Sequence, residues 1–187
     1  MPDNKIKYGL KNVYYAKLTY GSNGEETYAT PVRIPGAVNL EADASGEMNN
    51  FYADDTVYWK SSANNGYEGT LEVALIPNSF RTDILGETAD TDGVMWEYSN
   101  VEPAEFALLF EFQGDKNAVR HSFLRCSASR AAVNGATKED SITPQTETLN
   151  ISAMPRISDQ LVKGKCDATA SPTQYAAWFT SVITPGE

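Results

Sequence analysis

The chain has 187 residues, a formal net charge of −10, two cysteines and one histidine. That length suits one domain, spanning 1–187, which buries roughly 70% of its unfolded surface without disulfides. The acidic balance argues against gripping nucleic acid through its phosphates, no apolar run approaches the ~20 residues of a membrane span, and the opening MPDNKIKYG lacks the apolar core of a secretion signal.

Residues 1–12 are polar and basic and read as an N-terminal arm. Val13 to Tyr20 is aromatic and β-rich, a strand. The Gly21–Gly24 turn leads to a second strand at Tyr28–Ile34, where Pro31 forces an edge position. Val38 to Ala44 reads as a strand with acids on one side. FYADDTVYWK follows, two short aromatic runs around Asp54-Asp55, and Asn64-Asn65-Gly66 makes a turn.

YEGTLEVALIPNSFRTDILG, Tyr67 to Gly86, reads as a strand handing over to a short helix. Leu71, Val73 and Leu75 share one face at a period of two. Pro77 ends the ladder, Asn78 suits an N-cap, Phe80 and Ile84 share a helical face, and Gly86 suits a left-handed stop.

An acidic loop then precedes a short strand at Val94–Tyr98. In EFALLFEFQ, residues 105–113, Phe106, Leu108, Phe110 and Phe112 alternate. Gly114 to Asn117 closes a hairpin with Ala118–Ser127. Residues 131–144 read as a loop, Gln145–Ala153 as a strand, and Leu161–Ala168 as its neighbour. A helix is expected over 171–183, with Ser171 and Gln174 as a capping box and Tyr175, Trp178, Phe179 and Val182 as its apolar stripe. The fold class is therefore mainly β within α+β.

Charge is unevenly placed. Between Arg33 and Lys60 there are five acids and no base: Glu41, Asp43, Glu47, Asp54 and Asp55. Nine more acids lie between Arg81 and Lys116, again without a base, whereas 116–165 is rich in bases. Such a split suits head-to-tail self-association.

Chemistry is sparse. His121 is the single histidine, and Cys126 lies five residues on, the opposite face of one strand. Cys126 and Cys166 read as buried or half-buried thiols in a chain folded in a reducing cytoplasm, though a disulfide between them stays open. The sequence has no nucleophile elbow, no zinc set and no phosphate-cradling glycine loop. Asp54-Asp55 and Asp90-Thr91-Asp92-Gly93 offer oxygen ligands of the kind calcium takes, without the rest of an EF-hand loop. No enzyme, cofactor or metal site is expected.

Several short stretches, in order, resemble the major tail proteins of long-tailed bacteriophages, the subunits of the tail tube. They are Tyr8-Gly9-Leu10-Lys11-Asn12-Val13-Tyr14-Tyr15-Ala16, Ala53-Asp54-Asp55, Gly66-Tyr67-Glu68-Gly69, Asp83-Ile84-Leu85-Gly86, Phe106-Ala107-Leu108-Leu109-Phe110-Glu111 and Thr146-Glu147-Thr148-Leu149. The similarity runs across residues 8–168. It implies a β-sandwich or partly open barrel flanked by a helix, in hexameric rings stacked as a non-contractile tail tube. The implied partners are other copies of the chain, and the tail terminator, tape measure and distal tail proteins of the virion. DNA would pass through the bore without specific binding, and no membrane partner is implied. The protein would sit in the virion, and in the host cytoplasm before assembly.

On that reading residues 36–63 form the assembly loop or hairpin. Glu41, Asp43, Glu47, Asp54 and Asp55 include lumen and inter-ring residues. Acids of 83–115 pair with bases of 116–165 across subunits, Arg120 and Arg125 among them. The alternative is a carbohydrate- or receptor-binding β-sandwich in which Tyr52, Tyr58, Trp59 and Tyr67 stack on sugars.

Overall fold

The computed structural model of the protein describes residues 6–114, 118–137 and 144–185. Thirteen strands are present among them: β1 (Leu10–Tyr20), β2 (Glu26–Tyr28), β3 (Val32–Ile34), β4 (Ala37–Ser45), β5 (Met48–Ala53), β6 (Thr56–Ser62), β7 (Gly66–Val73), β8 (Thr88–Ala89), β9 (Met95–Trp96), β10 (Phe106–Phe112), β11 (Arg120–Ala128), β12 (Glu147–Met154) and β13 (Lys163–Cys166). A single helical turn α1 (Asn78–Phe80) continues as a π-type turn over Arg81–Leu85, and α2 covers Pro172–Ala177.

Nine strands form one antiparallel sheet in the order β2-β1-β10-β11-β12-β7-β4. β3 pairs with β1 and β13 with β11 beside that path, while β5-β6 and β8-β9 are separate two-stranded ladders. The sheet rolls until β1 and β4 approach one another without pairing. The expected mainly β, partly open architecture is what forms. Pro31 does interrupt its strand: β2 and β3 are two short pieces on the same side of β1, because proline gives no N–H to the ladder.

The roll encloses one apolar core. Val13, Tyr15, Leu71, Val73, Phe106, Leu108 and Leu149 project inward from the strands, and Phe80 and Ile84 enter from the helical turns. Tyr15 meets Phe80 edge to face at 5.0 Å, and Phe80 meets Phe106 likewise at 5.4 Å. Burial pushes the Tyr15 phenol up to about 12, and its hydroxyl donates to Asp83. The other face of β1–β10–β11 has a second cover. Ala16, Ala107, Leu109 and Leu124 pack there under Trp178 and Val182 of the C-terminal segment. β10 is thus buried on both faces, which explains its run of apolar residues without polar alternation.

Several expectations shift. The arm over 1–12 is shorter than expected, since Leu10 already opens β1 and the Tyr8 and Gly9 carbonyls accept from Gly114 and Gln113; residues 1–5 lie outside the described residues. Asn12 adopts a left-handed φ of 50° at a bulge in β1, which lets its amide donate to Glu111 at 2.7 Å. The strand expected over 67–77 ends at Val73, with the Ala74 N–H making the last bond on the β4 side, to the Gly36 carbonyl. Leu75 is consequently 71% exposed while Ile76 is buried. Asn78 is the first helical residue rather than the cap, but Gly86 does stop the helix at φ 76°.

β13 is not a neighbour of β12. It pairs with β11 at Arg120–Phe123, just where the β12 pairing at Arg125–Ala128 leaves off. The helix expected over 171–183 is α2 alone, six residues long, and Ser171 makes no side-chain cap. Beyond it, Thr180 and Ser181 both donate to the Ala177 carbonyl and the chain tightens into turns. Gly114 lies in the expected β10–β11 turn, whose residues 115–117 are outside the described residues, as are 138–143 of the expected loop.

Candidate functional site

The outer face of β4, β7, β12 and the 125–128 end of β11 is mainly polar. Alternation sends Leu40, Leu71 and Leu149 into the core, so their neighbours point outward. Register then sets the outward residues in rows. Asp43 faces Glu68, which faces Ser152, which faces Ser127. Glu41 faces Thr70, which faces Asn150. Asn39 faces Glu72, which faces Thr148. Gly69 lets β4 come close, since a Cβ there would lie 1.9 Å from the Glu41 carbonyl oxygen. The middle of the face is a shallow trough of about 590 Å³ lined by Asp43, Glu68, Thr70, Ser127, Asn150 and Ser152 among others, none of them basic.

Asp43 and Glu68 form a like-charged pair directly across two strands. Such pairs oppose folding, so the pattern needs a reason outside the stability of the chain. The trough ends at Arg125, whose guanidinium turns aside to grip Glu105 at 2.8 and 2.9 Å.

The second feature is a projecting hairpin. β5 and β6 continue the β4–β7 ribbon past the body through the Asn65–Ser45 and Ala63–Glu47 backbone bonds. Gly46 allows the ribbon to narrow there, because a Cβ would lie 2.0 Å from the Ala63 carbonyl oxygen. At the tip, Asp54 and Asp55 have φ of 50° and 59°. Left-handed geometry at both central residues makes a two-residue turn whose twist matches the strands, and Asp tolerates it. Phe51 pairs with Trp59 on one face and Tyr52 with Val57 on the other, the register slipping at Tyr58. Tyr52, Tyr58 and Trp59 are 64%, 72% and 58% exposed.

A polar, acidic sheet face thus lies beside a projecting hairpin that, among the described residues, pairs with no other strand. The family model described as phage tail tube protein matches residues 2–154. This chain belongs to that family. It is therefore a structural component of the virion tail. No curated protein matches it. The match ends at the last residue of β12, so β13 and the C-terminal segment over the second core cluster lie beyond it.

The structure of this tail tube protein sorts the residues singled out in its sequence. Glu41 and Asp43 lie on the polar face, whereas Glu47 is at the hairpin root and Asp54 and Asp55 are at its tip. The five acids thus belong to two places. The segment 36–63 divides likewise: its first half is β4, paired along β7, and only residues 46–65 project. Glu68, Glu72, Thr70, Asn150 and Ser152 were not singled out. Their signal was the polar half of the alternation in YEGTLEV and QTETLNISA.

Arg120 and Arg125 have partners inside their own chain. Glu111 is 4% exposed and receives Arg120 Nε at 3.1 Å, Lys11 at 3.3 Å and the Asn12 amide. The Arg120 guanidinium also lies 3.8 Å from the Tyr175 ring centre and donates to the Tyr175 carbonyl. With Arg125–Glu105 and Arg130–Glu97, three pairs between the acidic and basic stretches close within one chain, those of Arg120 and Arg125 because the β10–β11 hairpin sets those stretches side by side. Burial raises the Glu105 carboxyl, but hydrogen bonds from Arg125 and Tyr20 outweigh it and hold the group below the ordinary glutamate range. Glu26 behaves the same way: burial raises it, while Ser158, Arg156 and the Ile157 N–H bring it lower still.

Asp90 organises its own loop. The Trp96 indole and the Val94 and Asp92 N–H groups donate to it and hold its carboxyl below the usual range. His121 stacks on Phe110 at 5.4 Å, a packing position on the sheet. Tyr67 is tilted against Phe123 at 5.1 Å with Lys163 over its ring. Among the described residues no group of three His, Cys, Asp or Glu is placed to hold a metal, and no helix is long and apolar enough to cross a membrane.

Proposed function

We propose that the chain self-assembles into hexameric rings that stack as the tail tube, with the polar face of β4, β7, β12 and β11 lining the bore. The observation that carries this is the composition of that face. It presents carboxylates, hydroxyls and amides, and no cation lines its central trough. Phosphates near such a wall meet repulsion within a Debye length, roughly 8 Å at physiological salt, and find no counter-charge to hold them. DNA then slides to the host cell rather than sticking. The Asp43–Glu68 pair has its use here: it keeps negative potential high at the cost of some stability of the single chain.

Two further features support the reading. β4 forms one border of the sheet while short β2 and β3 lie at the other, and an edge of nine residues such as β4 invites pairing with another chain. A heterologous contact of that kind closes into a ring when the rotation allows. The hairpin offers apolar side chains on both faces, which suits burial between subunits. A sugar-stacking platform needs its rings on one face, whereas these are divided between two.

Electron microscopy of concentrated protein tests the assembly, with rings and stacked tubes as the expected result. A chain that stays monomeric at every concentration, with no other tail protein able to nucleate it, ends the proposal. The lumen assignment is tested by the triple variant Glu41→Lys, Asp43→Lys, Glu68→Lys. Its tubes should retain DNA that wild-type tubes do not, by co-sedimentation at low salt.

A further inference from the structure

The hairpin needs a surface to cover it, and the same chain carries one of matching chemistry. Where the rolled sheet opens, between β4–β7 and β10–β11, a groove of about 210 Å³ remains. Its floor is Leu40, Ala42, Tyr67, Phe110, Phe112 and Phe123, the outermost layer of the main core. Lys7 and Lys163 stand at its rim, their ammonium groups 4.8 Å from the Phe112 ring centre and 4.5 Å from that of Tyr67. Both lysines are exposed.

The hairpin tip is the complement of this groove. It carries Asp54 and Asp55 at its end and apolar pairs, Phe51–Trp59 and Tyr52–Val57, directly behind. Its one base, Lys60, lies further back toward the root. Resting on the tube reading above, the geometry points to this groove as the seat for the hairpin tip of a second copy, with Asp54 and Asp55 against Lys7 and Lys163 and one apolar pair on the floor. The chain's own hairpin is poorly placed to fill it. Its root adjoins Tyr67 at the groove, and its strands run away from there for about 20 Å. The apolar pair on the hairpin's other face is left for a further copy, so each hairpin is clamped between two neighbours.

A charge exchange tests this directly. The variant Lys7→Glu, Lys163→Glu should raise the protein concentration at which polymer appears by about tenfold or more, as like charges then meet across the contact. Adding Asp54→Lys and Asp55→Lys to the same chain should bring it back to near the wild-type value. Unchanged thermal unfolding of each monomer separates these effects from misfolding, since all four positions are exposed. A second measurement mixes chains carrying Asp55→Cys with chains carrying Lys163→Cys. An interchain disulfide should form in polymer and be absent in dilute monomer.

Polymerisation of the lysine variant as readily as wild type, or failure of the exchange to rescue it, overturns the groove assignment and leaves the tube reading intact. So does a disulfide formed within one chain carrying both cysteines. Wild-type protein that never polymerises overturns both.

Discussion

In the rolled sheet Tyr15, Phe80 and Phe106 meet edge to face with no more than 1% of their surface exposed, whereas on the hairpin Tyr52, Tyr58 and Trp59 keep between 58% and 72% exposed. Both sets are aromatic and their circumstances are opposite. The body buries these three rings within one chain, between the strands and the helical turns. The hairpin pairs with no other strand among the described residues, and an isolated two-stranded ribbon is marginal in water. On the assembly proposed above, the difference separates two free energies: one folds the subunit, and the other is released on contact with another subunit.

That separation can be broken most forcefully in the body. Phe80→Ala removes a fully buried ring from the centre of the core and should cost about 3–5 kcal/mol. Denaturant unfolding of the monomer is the measurement, and a cost below 1 kcal/mol would mean that the core repacks freely. Arg156→Ala should come next, at about 3 kcal/mol. It strips Glu26, whose side chain is 1% exposed, of the guanidinium bonded to it at 2.7 Å. The paired change Arg156→Met with Glu26→Leu should recover most of the loss.

The hairpin should give the reverse pattern. Trp59→Ala should move monomer stability by no more than about 0.5 kcal/mol, yet weaken subunit association by about 2 kcal/mol or more. Comparing unfolding with sedimentation of the same variant reads both numbers. Equal losses in the two would erase the distinction between the regions.

Acid should act on the body first. Glu26 and Glu105 titrate below their ordinary value in the folded chain, so the stability they contribute is present above the unfolded glutamate value, roughly 4.3. It drains away as pH falls through the lower folded values. The melting temperature should therefore drop below that point, and the drop should shrink in Glu105→Gln. The smallest effect has the opposite sign. Asp43→Asn removes the repulsion across β4 and β7 and should stabilise the monomer by about 0.2–1 kcal/mol, visible as a higher melting midpoint.

Local pattern made much of this fold readable. Pro77 and Gly86 bracket the helical turn, Pro77 just before its first residue and Gly86 at its left-handed stop. The alternation in YEGTLEVALIP correctly assigned Leu71 and Val73 to the core and misassigned Leu75, since the strand ends at Val73 and the chain leaves the sheet before Leu75. The spacing of Trp178 and Val182 reported their burial, although the chain reaches it through turns beyond α2.

The site divided along the same line. Glu41 and Asp43 could be picked out as acids on one side of a strand. Their opposition to Glu68 and Thr70 depends on which strands lie adjacent and in what register, which is a long-range property. The in-chain partners of Arg120 and Arg125 were out of reach for the same reason: a hairpin brought Glu111 beside Arg120, and the fold brought Glu105 to Arg125.

The two cysteines bear on how such a particle endures. Cys126 and Cys166 are free thiols, 0% and 5% exposed, and burial pushes both above the ordinary thiol value. Oxidation proceeds through the thiolate and needs access. A tail outside the cell meets air and peroxide with no repair enzymes at hand. Sulfur kept protonated and walled in ages slowly there, and one copy cannot become covalently tied to the next through it.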